Sequence, residues 1–170
     1  FRKKIHSSIE KHDGELLKEI GDGTLLKFKS ALNAVLCSID LQNQSKKIND
    51  LKLRIGIHLG DVIIDGGDVF GSGVNIASRI EGLAGPGEIF MSSEIHSQIK
   101  NKKEIKAEST GLKSIKGVDA KMEVFKVLTE TEIEEEDKAE APKTLFQDLM
   151  SRRVPHILGF YFAASWGILQ

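Results

Sequence analysis

The chain has 170 residues, enough for one core of ordinary size, and carries 24 basic against 25 acidic side chains. That balance leaves no global field to draw nucleic acid or anionic lipid as a bulk partner, and 40% hydrophobic with 29% charged residues excludes a disordered chain. One cysteine, Cys37, excludes an intrachain disulfide framework and, set in an apolar helical run, reads as a buried and inert thiol.

The opening "FRKKIHSSIEKHDGE" reads as a helix already under way, with Ile5 and Ile9 on one face and "HDG" ending it. The sequence is therefore expected to be part of a longer protein. "ELLKEI" and "TLLKF" follow as two strands joined by "GDG", a short-loop hairpin signal. From Ser30, a plausible N-cap, "SALNAVLCSIDLQNQ" spaces Leu32, Val35, Leu36 and Ile39 as a helix does. In "LKLRIGIHLGDVII", Leu51, Leu53, Ile55, Ile57 and Leu59 alternate with Lys52, Arg54, Gly56 and His58, the pattern of a half-buried strand. "DGGD" turns the chain. "GSGVNIASRIEGLA" is then a helix with Val74, Ala77, Ile80 and Leu83 on its inner side, stopped by "GPG". "EIFMS" is a strand, "SEIHSQIKN" a capped helix, and "GLKSIKGVDAKMEVFKV" a pair of strands about a Gly-containing turn. The order α, β, β, α, β, α, β, α, β, β implies helices layered on one mixed or antiparallel sheet.

After Val127 the composition changes. Residues 129–143, "TETEIEEEDKAEAPK", are acidic without an apolar period and read as a solvated linker. Residues 144–170 begin with "TLFQDLM" and run into a stretch from Ile157 to Leu169 that has no charged residue. Apolar on all faces and preceded by Arg152 and Arg153, it is expected to be the start of a transmembrane helix with the arginines on the cytoplasmic flank. A buried or amphipathic helix is the alternative.

Two places could carry chemistry. Asn75 and Arg79, four apart on a helix, share one face, while Val74, Ala77 and Ile80 point elsewhere. An amide and a guanidinium so paired can grip a phosphate or ribose, although spacing alone more often describes a solvated helix face. Asp22 sits between the two glycines of the first hairpin turn, where it is either a turn former or a hard-oxygen metal ligand. His6, His12, His58 and His96 show no shared metal spacing, and no P-loop, zinc cluster or nucleophile–base triad appears.

Taken together, "KEIGDG", "GIHLGDV", "GDVFGSGVNIASRIEGLAGPGEIFMS" and "LKSIKG", in this order, resemble the class III nucleotidyl cyclase catalytic domain, closest to bacterial-type adenylate cyclases. The resemblance covers residues 1–128. It implies an α+β, ferredoxin-like βαββαβ fold acting as a homodimer with sites at the subunit interface. The reaction it implies converts a nucleoside triphosphate to the 3′,5′-cyclic monophosphate and pyrophosphate, assisted by two Mg²⁺ or Mn²⁺ ions. By the same resemblance Asp22 is a metal-binding aspartate, Arg79 the transition-state arginine and Asn75 the residue that orients the ribose. Lys116 corresponds less closely to a lysine on the triphosphate and reads equally as an exposed strand lysine.

Lys18 and Asp68 fall at the family's two purine-selecting positions. A lysine only donates and an ionised aspartate only accepts, which suits the N1 acceptor and 6-amino donor of adenine and mismatches guanine. ATP is the expected substrate. The resemblance also implies a strand and a second metal aspartate upstream of Phe1, so the domain reads as incomplete at its N-terminus and inactive by itself. Because Lys18, Asp22, Asp68, Asn75 and Arg79 are all present, a truncated enzyme is preferred to a degenerate nucleotide-binding or dimerisation module. Guanylate cyclase is the nearer alternative. The expected setting is a membrane-associated protein with its catalytic domain in the cytoplasm.

Overall fold

The computed structural model describes residues 2–48, 51–129 and 132–133. In chain order it contains α1 (Arg2–Lys11), the strands β1 (Gly14–Ile20) and β2 (Gly23–Phe28), α2 (Ala31–Lys46), β3 (Ile55–Ile57), β4 (Ile63–Asp65), β5 (Asp68–Phe70), α3 (Ser72–Glu81), β6 (Ile89–Ser92), α4 (Ser93–Ile99), β7 (Ala107–Lys113) and β8 (Met122–Val127). Four strands form a mixed sheet in the order β3-β6-β8-β7, with β3 parallel to β6 and the other pairs antiparallel. Two separate hairpins, β1–β2 and β4–β5, complete the strand inventory among the described residues. The architecture is mixed α+β as expected, but the strands are shared among three sheets where the sequence pattern suggested one.

Strand alternation sorts the core onto the two faces of the main sheet. Phe90, Met122 and Val124 face Ile80 of α3 with Ile115 and Ala84. Ile89, Met91 and Val127 face the other way, against Ala34 and Val35 of α2 and Ile95 and Ile99 of α4. All four residues of β6 are consequently buried, as befits a central strand covered on both sides. A third cluster, Ile9, Cys37 and Leu41, joins α1 to α2. Cys37 is buried there as expected; burial, then the nearby Asp40 carboxylate, pushes its thiol up to about 11. Ser30 does cap α2, its hydroxyl oxygen accepting from the Asn33 N–H at 3.4 Å.

Two expectations are corrected. The strand predicted across 51–64 is confined to Ile55–Ile57, and Leu59 is 50% exposed. Among the described residues this strand pairs on one side only, with β6, for three residues, so alternation beyond that reach finds no face to bury against. Leu83, predicted on the inner side of the third helix, is 41% exposed, because α3 stops at Glu81. At the far end, the acidic stretch starts inside the fold. Thr129 is buried and donates its N–H and its hydroxyl to Glu132, each at 2.8 Å, while Lys126 Nζ bridges Glu132 at 2.7 Å and Glu88 at 3.1 Å. The rest of the predicted linker and the apolar run of 157–169 lie outside the described residues. Among the described residues no helix is long and apolar enough to cross a membrane.

Asp40 ties α1 to α2 by accepting from Lys11 Nζ at 2.7 Å and from His12 Nε2 at 2.8 Å. Burial by itself would raise its pKa, but the hydrogen bonds from Lys11 and His12, with their charges, outweigh it and hold the carboxyl below the usual 3.8. A carboxyl depressed in the fold stabilises it above the unfolded value, and that contribution disappears as pH falls through the lower, folded value. Asp40→Asn is therefore expected to lower unfolding free energy at neutral pH by about 1 kcal/mol. Denaturant titrations of both proteins should show the gap closing below about pH 4; a gap that persists there would show that charge is not its source.

Candidate active site

The first hairpin contains a β-bulge. Leu16 pairs with Leu26 and Lys18 with Leu25, leaving Leu17 as the extra residue. A bulge twists its strand and re-aims the side chains after it. Lys18 meets the second hairpin, where Asp68 opens β5 immediately after the two-glycine loop. Lys18 Nζ donates to Asp68 Oδ1. That hydrogen bond first, and then the lysine's charge, holds the Asp68 carboxyl below its usual range. Both side chains stay open to solvent, 39% and 54% exposed. The pair presents one fixed donor and one ionised acceptor side by side on the surface.

The second group stands on α3. Ile76 and Ile80 pack into the core with Phe90, Ile115, Met122 and Val124. That packing sets the helix so that Asn75 is exposed and Arg79 partly so. Arg79 Nη1 donates to the main-chain carbonyl of Lys116. This carbonyl belongs to a tight turn closed by Val118 N–H on the Ile115 carbonyl at 3.0 Å, and the Lys116 side chain is exposed beside it. The resemblance places the Lys116 amine on the triphosphate, a role separate from the contact that the Lys116 backbone makes with Arg79. A main-chain acceptor leaves no side-chain pattern to read, and the available signal was the turn glycine, Gly117.

Asp22 lies second in the two-residue loop between β1 and β2, and Gly21 takes the positive φ of +62°. The backbone thus makes no special demand at Asp22, whose exposed carboxylate has no hydrogen-bond or ion-pair partner among the described residues. No group of three or more His, Cys, Asp or Glu side chains among the described residues could hold a metal ion. One exposed aspartate is too few hard-oxygen donors for a two-ion centre, so these residues do not fit one by themselves. Nor does any hydrogen bond or ion pair among the described residues join the Lys18–Asp68 pair, the Arg79–Lys116 pair and Asp22 to one another.

Residues 3–129 match the model of the adenylate and guanylate cyclase catalytic domain. The chain belongs to this family. As a cyclase domain it is 37% identical over 121 residues to the Rhizobium meliloti protein named "Putative adenylate cyclase 3", an alignment covering 67% of the chain and 21% of that protein. It is 27% identical over 117 residues to the pH-sensitive adenylate cyclase of Mycobacterium tuberculosis, covering 65% of the chain and 29% of the relative. The cyclase domain thus spans between a fifth and a third of the length of these relatives. Among solved structures, the adenylate/guanylate cyclase/hydrolase from Silicibacter pomeroyi superposes with a TM-score of 0.70 at 29% identity, over 76% of this chain and 80% of that one. The catalytic core of a rhodopsin-guanylyl cyclase with converted specificity, in complex with ATPαS, shares the fold with a TM-score of 0.68 at 24% identity, over 75% of this chain and 78% of that one.

Proposed function

We propose that this cyclase domain converts ATP to 3′,5′-cyclic AMP and pyrophosphate as one half of a homodimer. In that reaction the ribose 3′-oxygen bonds to the α-phosphorus, the bond to the bridging oxygen of the β-phosphate breaks, and pyrophosphate leaves with the electron pair. The 3′-hydroxyl proton is lost to a base. Arg79 spreads its fork over the oxygens of the reacting phosphate as charge builds there. Asn75, one turn earlier on the same face, holds the ribose so that its 3′-oxygen lies in line. Lys116 meets the triphosphate tail. Asp22 would supply one carboxylate to a bound Mg²⁺ or Mn²⁺, which would activate the ribose hydroxyl and neutralise phosphate charge, with the other donors supplied from outside the described residues.

The observation that carries the choice of ATP is the contact between Lys18 and Asp68. One donor and one ionised acceptor, fixed side by side, match adenine's N1 and 6-amino group, and guanine presents the opposite pair. The homodimer is supported by the second hairpin, where Ile63, Ile64 and Phe70 are 61%, 52% and 53% exposed. An apolar strip of that kind on a short hairpin is the surface a partner subunit covers. A membrane-associated protein with this domain in the cytoplasm is the setting that the uncharged run of 157–169 and the arginines before it support.

Base choice is tested by steady-state kinetics of the full-length protein on both nucleotides. The ATP:GTP ratio of kcat/KM is expected to be about 100. The double substitution Lys18→Glu with Asp68→Ser puts an acceptor where the donor was at 18 and a donor where the acceptor was at 68, and should bring the ratio near or below about 1. Equal use of ATP and GTP by the unsubstituted protein would overturn the assignment.

A further inference from the structure

We infer that the Ile115–Val118 turn positions Arg79, and that Gly117 is a positioning residue for the cyclisation step. The inference rests on the reading of Arg79 as the group that meets the reacting phosphate. Three observations bring it about. The guanidinium donates through Nη1 to the Lys116 carbonyl, and the turn that offers this carbonyl is itself closed by the Val118-to-Ile115 hydrogen bond at 3.0 Å. Ile115 is buried in the same cluster as Ile80, the residue that follows Arg79 on α3, so the turn and the helix share one rigid foundation. Finally, Gly117 has φ +78°, and a Cβ placed on it would lie 2.8 Å from Arg79 Nη1, 3.8 Å from its Cζ and 4.0 Å from its Nη2. The nearest atoms to that Cβ are thus all in one guanidinium. The arginine rests over the space where any other residue would carry a side chain.

A long arginine on a helix surface samples many rotamers, and aligning it at the moment of reaction carries an entropic cost. Holding one of its five N–H donors on a main-chain acceptor fixes the plane of the fork and leaves four for phosphate oxygens. The same turn carries the Lys116 side chain, so both cations are delivered to one anion from a common support. A residue with a Cβ at 117 meets the mobile end of Arg79 first, and it also strains a backbone held at φ +78°.

The test is Gly117→Ala in the full-length protein, read by kinetics on ATP and by thermal unfolding. We expect kcat to fall by about tenfold, with KM within about twofold. Gly117→Asn, which tolerates positive φ better than Ala but still carries a Cβ, should lose kcat as Ala does with a smaller fall in Tm. In an Arg79→Lys background, where no planar fork rests on the turn, Gly117→Ala should cost no further activity. The ¹⁵N NMR signal of the Arg79 side chain should also broaden in Gly117→Ala. Unchanged kcat in Gly117→Ala and Gly117→Asn, a rise in kcat, or an equal loss in the Arg79→Lys background would each overturn the inference while leaving the role of Arg79 intact. If Arg79→Lys alone keeps full kcat, the reading of Arg79 fails and the inference falls with it.

Discussion

Arg79→Ala in the full-length protein is expected to lower kcat by about 100- to 1,000-fold, with KM for ATP changed by less than about threefold. The asymmetry follows from where the guanidinium would act. A phosphate in the bound substrate already has its charge spread and screened, and the interaction strengthens only as the α-phosphorus becomes five-coordinate. Because the side chain hydrogen-bonds a main-chain carbonyl at the surface, its removal leaves no buried partner stranded among the described residues, and Tm should stay close to that of the parent. The same variant tests the dimer. If Asp22 serves a site completed by the partner's arginine, mixing Arg79→Ala protein with Asp22→Ala protein makes heterodimers with one intact site in two. Activity should then return to about a quarter of the parent value after subunit exchange. A pair of dead enzymes that stays dead on mixing, while sedimentation shows heterodimers, would sink the shared-site arrangement.

Gly56→Ala is expected to destabilise the domain by about 3 kcal/mol and lower Tm by roughly 10 °C. A Cβ at this position would meet the Ala77 carbonyl oxygen at 2.4 Å and, on Glu81, the amide nitrogen at 2.3 Å and Cα at 2.7 Å. These are helix backbone atoms, so no side-chain rotation can give way. Either α3 rides up off β3 or β3 leaves the sheet. Because Asn75 and Arg79 stand on α3, we expect the survivors at low temperature to show reduced kcat as well. Thermal unfolding of the two proteins decides it, and a Tm within about 2 °C of the parent would mean that the helix and strand can separate at little expense.

Much of the fold was legible where local signals agreed. "GDG" between two apolar runs gave the first hairpin, Ser30 gave the start of α2, and the uninterrupted apolar "IFM" gave the central strand β6. The second hairpin was half seen: the two-glycine turn was plain, but Ile63, Ile64 and Phe70 put apolar side chains into solvent, so a pattern that equates apolar with buried fused β4 to the strand before it. Of the site, the residue types at Asp22, Asn75 and Arg79 were readable, and the resemblance supplied their roles. What joins them was not readable. Lys18 and Asp68 are 50 positions apart and meet where two separate hairpins come together. The Arg79 contact goes to a peptide carbonyl, which every residue possesses and no sequence pattern marks.

The placement of Lys18 and Asp68 bears on how enzymes of this kind change diet. Both sit on hairpins at the surface, and neither belongs to any of the three core clusters. Substitutions at such positions ordinarily alter stability by no more than about 0.5 kcal/mol. On the proposed reading of Lys18 and Asp68 as the base-selecting pair, a lineage could trade one purine for the other in a step or two without a compensating repair elsewhere, because the scaffold that folds does not depend on them.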